Sequence, residues 1–181
     1  MDNFFRLVEA RINRFFRTQK MSFRATTLLN SSQYIYSKPA DYLSIRSIKL
    51  RSITEDIGKG KPLSLVTNEQ FTNLKENGST TPIYCVNGDN FYISPALDNY
   101  FLEVEYFGSI TPLSDSNLTN WVSEQHPDCY LFGLVTEINA FVKDANAAMA
   151  WGDRFNGVLQ EIKNFDNQSA YSGNPLQMRV G

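Results

Sequence analysis

The chain has 181 residues, of which 42% are hydrophobic, 20% charged and 13% aromatic, so it is long enough for one globular domain or one domain with an inserted lobe. This composition argues against wholesale disorder. No apolar run approaches the roughly 18 residues that a membrane span needs, and the N-terminus lacks the apolar core of a signal peptide, so we expect no membrane association and synthesis in a cytoplasm.

The net charge is −2, but the two parts of the chain differ in sign. Residues 1–51 carry ten Lys or Arg and three Asp or Glu, a balance of +7, whereas residues 52–181 carry seven and sixteen, a balance of −9. This polarity suits head-to-tail stacking of copies or an oppositely charged partner. It is equally compatible with a fold in which the two sets of charges face each other.

Residues 1–21 have the period of an amphipathic helix that ends near Phe16 or Arg17. Asp2 is a suitable N-cap, and an apolar stripe runs along one side. Three basic side chains project from the other side: Arg6, Arg14 and Arg17. The segment is predicted to be the N-terminal helix of a bundle.

Residues 22–112 change to the alternation and β-branched content of strands. Residues 87–90, Asn-Gly-Asp-Asn, predict a tight hairpin between strands at 83–86 and 91–93. A short strand is predicted at 63–66. Thr67 then caps a short helix, with Gln70 at the capping-box position. We therefore predict an inserted, antiparallel β-rich lobe.

Residues 113–168 return to a helical period, with three predicted helices. Thr119 caps the first, Pro127 opens the second, and Asp144 caps a last helix that runs to about Asn164. Residues 169–181 contain Gly and Pro and have no period, so they are predicted to form an extended assembly tail. The predicted fold class is α+β, a bundle of N-terminal and C-terminal helices with the β-rich lobe inserted.

The residue types give no sign of catalysis. His126 is the single histidine, and beside Pro127 we interpret it as a local hydrogen-bonding group. No cluster has metal-ligand spacing and no glycine-rich phosphate loop is present, so we expect no enzyme, metal or cofactor. Glu103 and Glu105 share a strand face and are interpreted as solvated charges. The two cysteines are interpreted as buried, reduced thiols.

Several segments resemble the head-to-tail adaptor proteins of short-tailed phages and prophages. No single motif is specific, but their order and spacing along the chain are. They are residues 9–14 (EARINR), 21–26 (MSFRAT), 38–43 (KPADYL), 113–117 (LSDSN), 120–121 (NW), 126–131 (HPDCYL), 141–144 (FVKD) before Trp151, and 171–178 (YSGNPLQM).

The resemblance implies a structural virion protein at the head–tail junction, made in the host cytoplasm. Such adaptors form a ring, usually dodecameric, beneath the portal protein and carry the next tail or nozzle protein. Genomic DNA then passes through without specific binding. The resemblance therefore predicts a structural role, and Trp121, His126 and Pro127 are then interpreted as residues that define a helix junction.

Two sets of residues are candidates for contact with the portal or a neighbouring subunit. The first is the basic side chains Arg6, Arg14 and Arg17; the second is the alternating apolar side chains of the tail, Leu176, Met178 and Val180. The alternative function is a DNA-binding regulatory protein that uses the basic N-terminal helix. An enzyme such as a cell-wall hydrolase is a more distant third.

Overall fold

A computed structural model of the chain describes residues 2–171. In chain order the helices are α1 (Asp2–Phe15), α2 (Asn68–Glu76), α3 (Trp121–Gln125), α4 (Pro127–Phe141) and α5 (Ala145–Tyr171), with one 3-10 turn at Gln19–Met21. The strands are β1 (Ser22–Leu28), β2 (Ile35–Ser37), β3 (Tyr42–Ser52), β4 (Lys61–Pro62), β5 (Ser64–Leu65), β6 (Ile83–Asn87), β7 (Asn90–Ser94) and β8 (Tyr100–Gly108).

The predicted α+β class is confirmed. The described residues divide into two compact units: a helical unit, made of the residues up to Met21 and those from Ser109 onward, and a β unit, Ser22–Gly108. The helical unit therefore contains both ends of the described chain. None of the described helices is long and apolar enough to cross a membrane.

The helical unit is built on contacts of α4 with α1 and α5. Its fully buried side chains come from several helices and include Val8, Ile12, Val122, Cys129 and Phe155. Gly133 allows α4 to approach α1 closely, because a Cβ there would lie 2.7 Å from Cγ1 of Val8. Asp144 accepts a hydrogen bond from the Ala147 amide and caps α5, as predicted.

The β unit contains two four-stranded sheets, with strand orders β1-β8-β3-β4 and β2-β7-β6-β5. All pairs are antiparallel except the parallel pair β5–β6. Side chains of both sheets share one apolar core that includes Ile48, Leu50, Phe91, Ile93 and Leu102. On the second sheet, a separate cluster joins Phe71 of α2 to Ile83 and Cys85 of β6.

Two local predictions in the β unit are confirmed. The residues 87–90 form the predicted hairpin, with Asn87 paired to Asn90 and Gly88 at a φ of 54°. Thr67 and Gln70 form a capping box, in which each side chain accepts a hydrogen bond from the other residue's amide.

The strand predicted at 63–66 is shorter in the structure, because the chain changes sheets there. Lys61–Pro62 pairs with β3, whereas Ser64–Leu65 pairs with β6. The buried Leu63 lies between them and belongs to the shared core. Burial of this one side chain between the sheets therefore breaks the run into two short strands.

Three helix boundaries differ from prediction. Asp2, the predicted N-cap of the first helix, is the first residue of α1. The N-cap of α3 is Asn120, whose side chain accepts from the amides of Val122 and Ser123, and not Thr119. Helix α5 continues to Tyr171, seven residues beyond Asn164. Its buried stripe ends at Ile162, but residues 163–171 include no Gly or Pro and can continue as an exposed helix.

The predicted tail is thus partly helical, since residues 169–171 belong to α5. The remainder of the tail, with Leu176, Met178 and Val180, lies outside the described residues.

Candidate interaction surfaces

The candidate arginines of the first helix differ in their surroundings. Arg6 and Arg14 are exposed on α1 and make no ion pair or hydrogen bond within residues 2–171. They are eight residues apart, which places them about 80° apart around the helix. Arg17 lies beyond α1, and its guanidinium donates to the carbonyl oxygens of Asn13, at 2.5 Å, and of Phe16. Arg17 is therefore engaged at the C-terminal end of α1.

Part of the charge polarity along the sequence is neutralised within the two units. Arg11 donates to Glu137 at 2.8 Å in the helical unit. In the β unit, Arg24 pairs with Glu105 at 2.6 Å and Arg51 pairs with Glu103 at 2.5 Å. The basic first part of the chain thus meets the acidic second part inside each unit, while Arg6 and Arg14 have no such pair among residues 2–171.

The interpretation of Glu103 as a solvated charge is wrong. Glu103 is 2% exposed and Arg51 is 7% exposed. The second oxygen of Glu103 accepts the Gly58 amide at 3.2 Å, and Arg51 also donates to the Glu55 carbonyl at 2.7 Å. The Arg51 guanidinium lies 4.7 Å from the centre of the Phe101 ring. The buried charges are therefore compensated on several sides.

The same interpretation of Glu105 is also corrected, because this carboxylate is half-buried and paired. A hydrogen bond from Arg24, and then one from Ser47, holds the pKa of Glu105 below its usual range. In their sheet, Glu103 and Glu105 serve as ion-pair partners of two different arginines. No sequence signal identified these pairs, since their partners are 52 and 81 residues away.

Four segments that carry the family resemblance meet in one buried network of the helical unit. Glu9 of α1 accepts the Leu113 amide at 2.7 Å and the Tyr130 hydroxyl at 3.2 Å. That hydroxyl in turn accepts a hydrogen bond from the side-chain amide of Asn120 at 2.7 Å. Glu9 is 5% exposed and Asn120 is 7% exposed. The network therefore explains why the side chains of Glu9, Asn120 and Tyr130 belong together physically.

The structure also shows where the apolar residues of α4 lie. Apolar residues repeat at helical spacing along this segment, but several of them face outward: Leu131 is 56% exposed, Ile138 41%, Phe141 74% and Val142 62%. The buried positions of α4 are instead Cys129, Tyr130, Gly133 and Thr136. The helical unit thus exposes an apolar face on α4, and an exposed face of this kind is typical of a protein–protein interface.

A cavity of about 470 Å³ lies in the helical unit, and we call it the Trp121 cavity. Its walls come from the chain after α1, from α3 and the α3–α4 junction, and from the last turns of α5. The lining residues are Thr18, Gln19, Lys20, Trp121, Gln125, His126, Ile162, Phe165, Asp166 and Ser169.

Contacts between its walls hold the cavity together. Lys20 lies with its Nζ 5.5 Å from the centre of the Trp121 ring and donates a hydrogen bond to Gln125. The backbone N–H of Gln19 donates to both carboxylate oxygens of Asp166, at 3.1 and 3.2 Å. The segment after α1 is thereby tied to both α3 and α5.

His126 is the junction residue between α3 and α4. Its ring meets Trp121 edge to face, with ring centres 6.3 Å apart. Burial lowers the pKa of His126, which favours the neutral form of the imidazole. Within residues 2–171, no group of three His, Cys, Asp or Glu side chains is placed to hold a metal ion.

The two cysteines are buried free thiols, as predicted. Cys85 lies in the β unit and Cys129 in the helical unit. Burial raises the pKa of both thiols, to about 12 for Cys129, which keeps them protonated and unreactive.

No curated protein sequence matches this chain. The family described as SU10 adaptor protein matches residues 1–179, which include all the described residues of both units. The match confirms the resemblance to phage head-to-tail adaptors, which are structural components of the virion. The chain belongs to the SU10 adaptor protein family.

Proposed function

We propose that this protein forms a ring beneath the portal and joins the portal to the next tail or nozzle protein. The observation that carries the proposal is the family match over residues 1–179. The protein is then a component of the head–tail junction.

The outward face of α4 supports ring formation between copies. In a ring, one surface of each subunit meets a different surface of its neighbour. Leu131, Ile138 and Val142 are exposed on the described part of the helical unit and offer an apolar surface for such a contact. We propose that this face is covered by the neighbouring subunit, since burying it would remove apolar area from water.

The exposed arginines suit a second contact, with carboxylates of the portal or of a neighbouring subunit. Arg6 and Arg14 lack partners within residues 2–171 and can form such pairs without breaking an internal one. We propose that Arg17, whose guanidinium is bonded to carbonyl oxygens at the end of α1, also lies at this contact. Leu176, Met178 and Val180 are proposed to contribute apolar contacts in the assembled ring.

Passage of the genome sets a further condition on the ring. Lys and Arg that neutralise phosphates strengthen DNA binding, so a basic channel wall would retard the genome. Residues 52–181, with a balance of −9, can supply an acidic or mixed wall. We propose that the exposed arginines of α1 face protein and that DNA passes without specific binding.

The test is assembly with the portal. Purified subunit is expected to sediment as a monomer at micromolar concentration and to form a closed ring, most simply a dodecamer, when portal is added. Cryo-electron microscopy of virions should then place the ring directly beneath the portal. Density elsewhere in the particle would contradict the proposal, and salt-sensitive binding to free duplex DNA without portal binding would support the regulatory alternative.

A further inference from the structure

The Trp121 cavity has two features of an unfilled binding site. Phe165 lines it while 67% exposed, although the same helix buries Ile162 one turn earlier. Thr18 also lines it, and the buried hydroxyl of Thr18 has no hydrogen-bond partner among the described residues. A buried hydroxyl without a hydrogen-bond partner destabilises the fold. An apolar segment bound in the cavity would cover the Phe165 ring, and its backbone could supply a hydrogen-bond partner for the Thr18 hydroxyl.

The chain itself supplies such a segment next to the cavity. Ser169 lines the cavity, α5 ends two residues later at Tyr171, and ten residues follow. The first of these, residues 172–175, read Ser-Gly-Asn-Pro, a composition typical of a turn. The next residues place apolar side chains at alternate positions: Leu176, Met178 and Val180.

The segment is long enough to cover the α5 wall of the cavity. From Ile162 to Ser169, the last lining residue, this wall rises about 10 Å at 1.5 Å per residue. In extended conformation, residues 176–180 span about 13 Å at 3.3 Å per residue. A chain that reverses direction within residues 172–175 would therefore bring its three apolar side chains alongside the last turns of α5, where Phe165 is exposed.

We infer that in the isolated subunit residues 172–181 fold back and occupy the Trp121 cavity of the same chain. The short connection favours the same chain over a second copy, because a short linker gives an effective concentration in the millimolar range. Binding of residues 172–181 in the cavity does not depend on the proposed function. A role of this binding in assembly does rest on the proposed function, since the segment would leave the cavity to contact the portal or a neighbouring subunit.

Trp121 provides the readout. The Trp151→Phe variant leaves Trp121 as the only tryptophan, and acrylamide quenching of its fluorescence then reports access to the cavity. Ending this variant after Tyr171 is expected to raise the quenching constant at least about twofold, because the indole ring loses its cover. Adding a synthetic peptide of residues 172–181 at millimolar concentration should reverse the change.

Substitutions in the full-length chain provide the matched comparison. Leu176→Asp with Met178→Asp should reproduce the effect of truncation, whereas Gln177→Asp, on the other side of an extended segment, should leave quenching unchanged. A quenching constant that the truncation does not alter would overturn the inference. Protection that appears only as protein concentration rises would assign the segment to a second copy and overturn the same-chain assignment.

The proposed function can fail separately from this inference. All these measurements use the isolated chain without portal, so loss of ring assembly would leave them unaffected. Conversely, an unfilled cavity would leave the ring proposal intact.

Discussion

The hydroxyl of Tyr130 donates a hydrogen bond of 3.2 Å to a carboxylate oxygen of Glu9 and so ties α4 to α1 across 121 positions of the sequence. The same hydroxyl accepts from Asn120, the residue that caps α3. One buried oxygen atom therefore connects three helices of the helical unit.

Tyr130→Phe should lower the free energy of unfolding of the helical unit by about 1–3 kcal/mol, because Glu9 and Asn120 each lose a buried partner. Both tryptophans, Trp121 and Trp151, lie in this unit, so their fluorescence during urea denaturation reports its unfolding. Leu118→Ala, at a side chain of the same unit that is 79% exposed, is the control and should change stability by less than about 0.5 kcal/mol. Equal effects of the two variants would refute the role of the network.

Glu103→Ala should destabilise the β unit by about 3–5 kcal/mol, since it leaves the buried charge of Arg51 without its partner. Hydrogen exchange of the β8 amides, measured by mass spectrometry, follows this unit. Asp56→Ala breaks the exposed pair with Lys59, in which both side chains are more than two thirds exposed, and should cost less than about 1 kcal/mol. Slow exchange in the Glu103 variant would show that the buried pair contributes little.

The β unit should lose stability in alkali. Burial, and then the hydrogen bond to Asp41, raises the pKa of Tyr106 to about 12. Its ordinary value is 10.0, so the folded state holds this proton more tightly than the unfolded state does. The stabilisation that protonated Tyr106 gives the folded state is complete below pH 10 and is lost as the pH rises from 10 to 12.

Tyr106→Phe should therefore reduce the slope of the free energy of unfolding against pH between pH 10 and 12. The reduction corresponds to at most one proton, or about 1.4 kcal/mol per pH unit. Urea denaturation at several pH values between 9 and 12 measures the slope. An unchanged slope in the variant would contradict the assignment to Tyr106.

Ile138→Asp should abolish ring assembly and leave the subunit folded, because it places a charge in the exposed apolar face of α4. Native mass spectrometry with portal measures the assembly, and circular dichroism checks the fold. Ala140→Asp, at another exposed position of the same helix, is the control and should assemble normally. Normal rings in the Ile138 variant would remove the α4 face from the proposed interface.

The pair Arg6→Glu and Arg14→Glu should block docking on the portal without unfolding the subunit, since exposed substitutions usually change stability by less than about 0.5 kcal/mol. Arg17 is left in place because its guanidinium caps the end of α1. Lys61→Glu, an equal change of charge at an exposed site of the β unit, should dock normally. Normal incorporation of the double variant into particles would contradict the arginine contact.

The local features of the fold could be predicted from the sequence alone. The Asn-Gly hairpin, the Thr67–Gln70 capping box, Pro127 at the start of α4 and Asp144 as the cap of α5 all depend on residues within a few positions of each other. The α+β class follows from the same local periods, and the order of short motifs identified the adaptor family.

Only the tertiary structure decided which neighbours cover each face. A helical period groups Leu131, Ile138 and Val142 on one side of α4, but it contains no information on whether another element packs there, and this side is exposed. Glu103 has the same local pattern as a solvated carboxylate, yet Arg51, 52 positions away, makes its burial possible. Such contacts depend on the path of the chain between distant residues, which local periodicity does not determine.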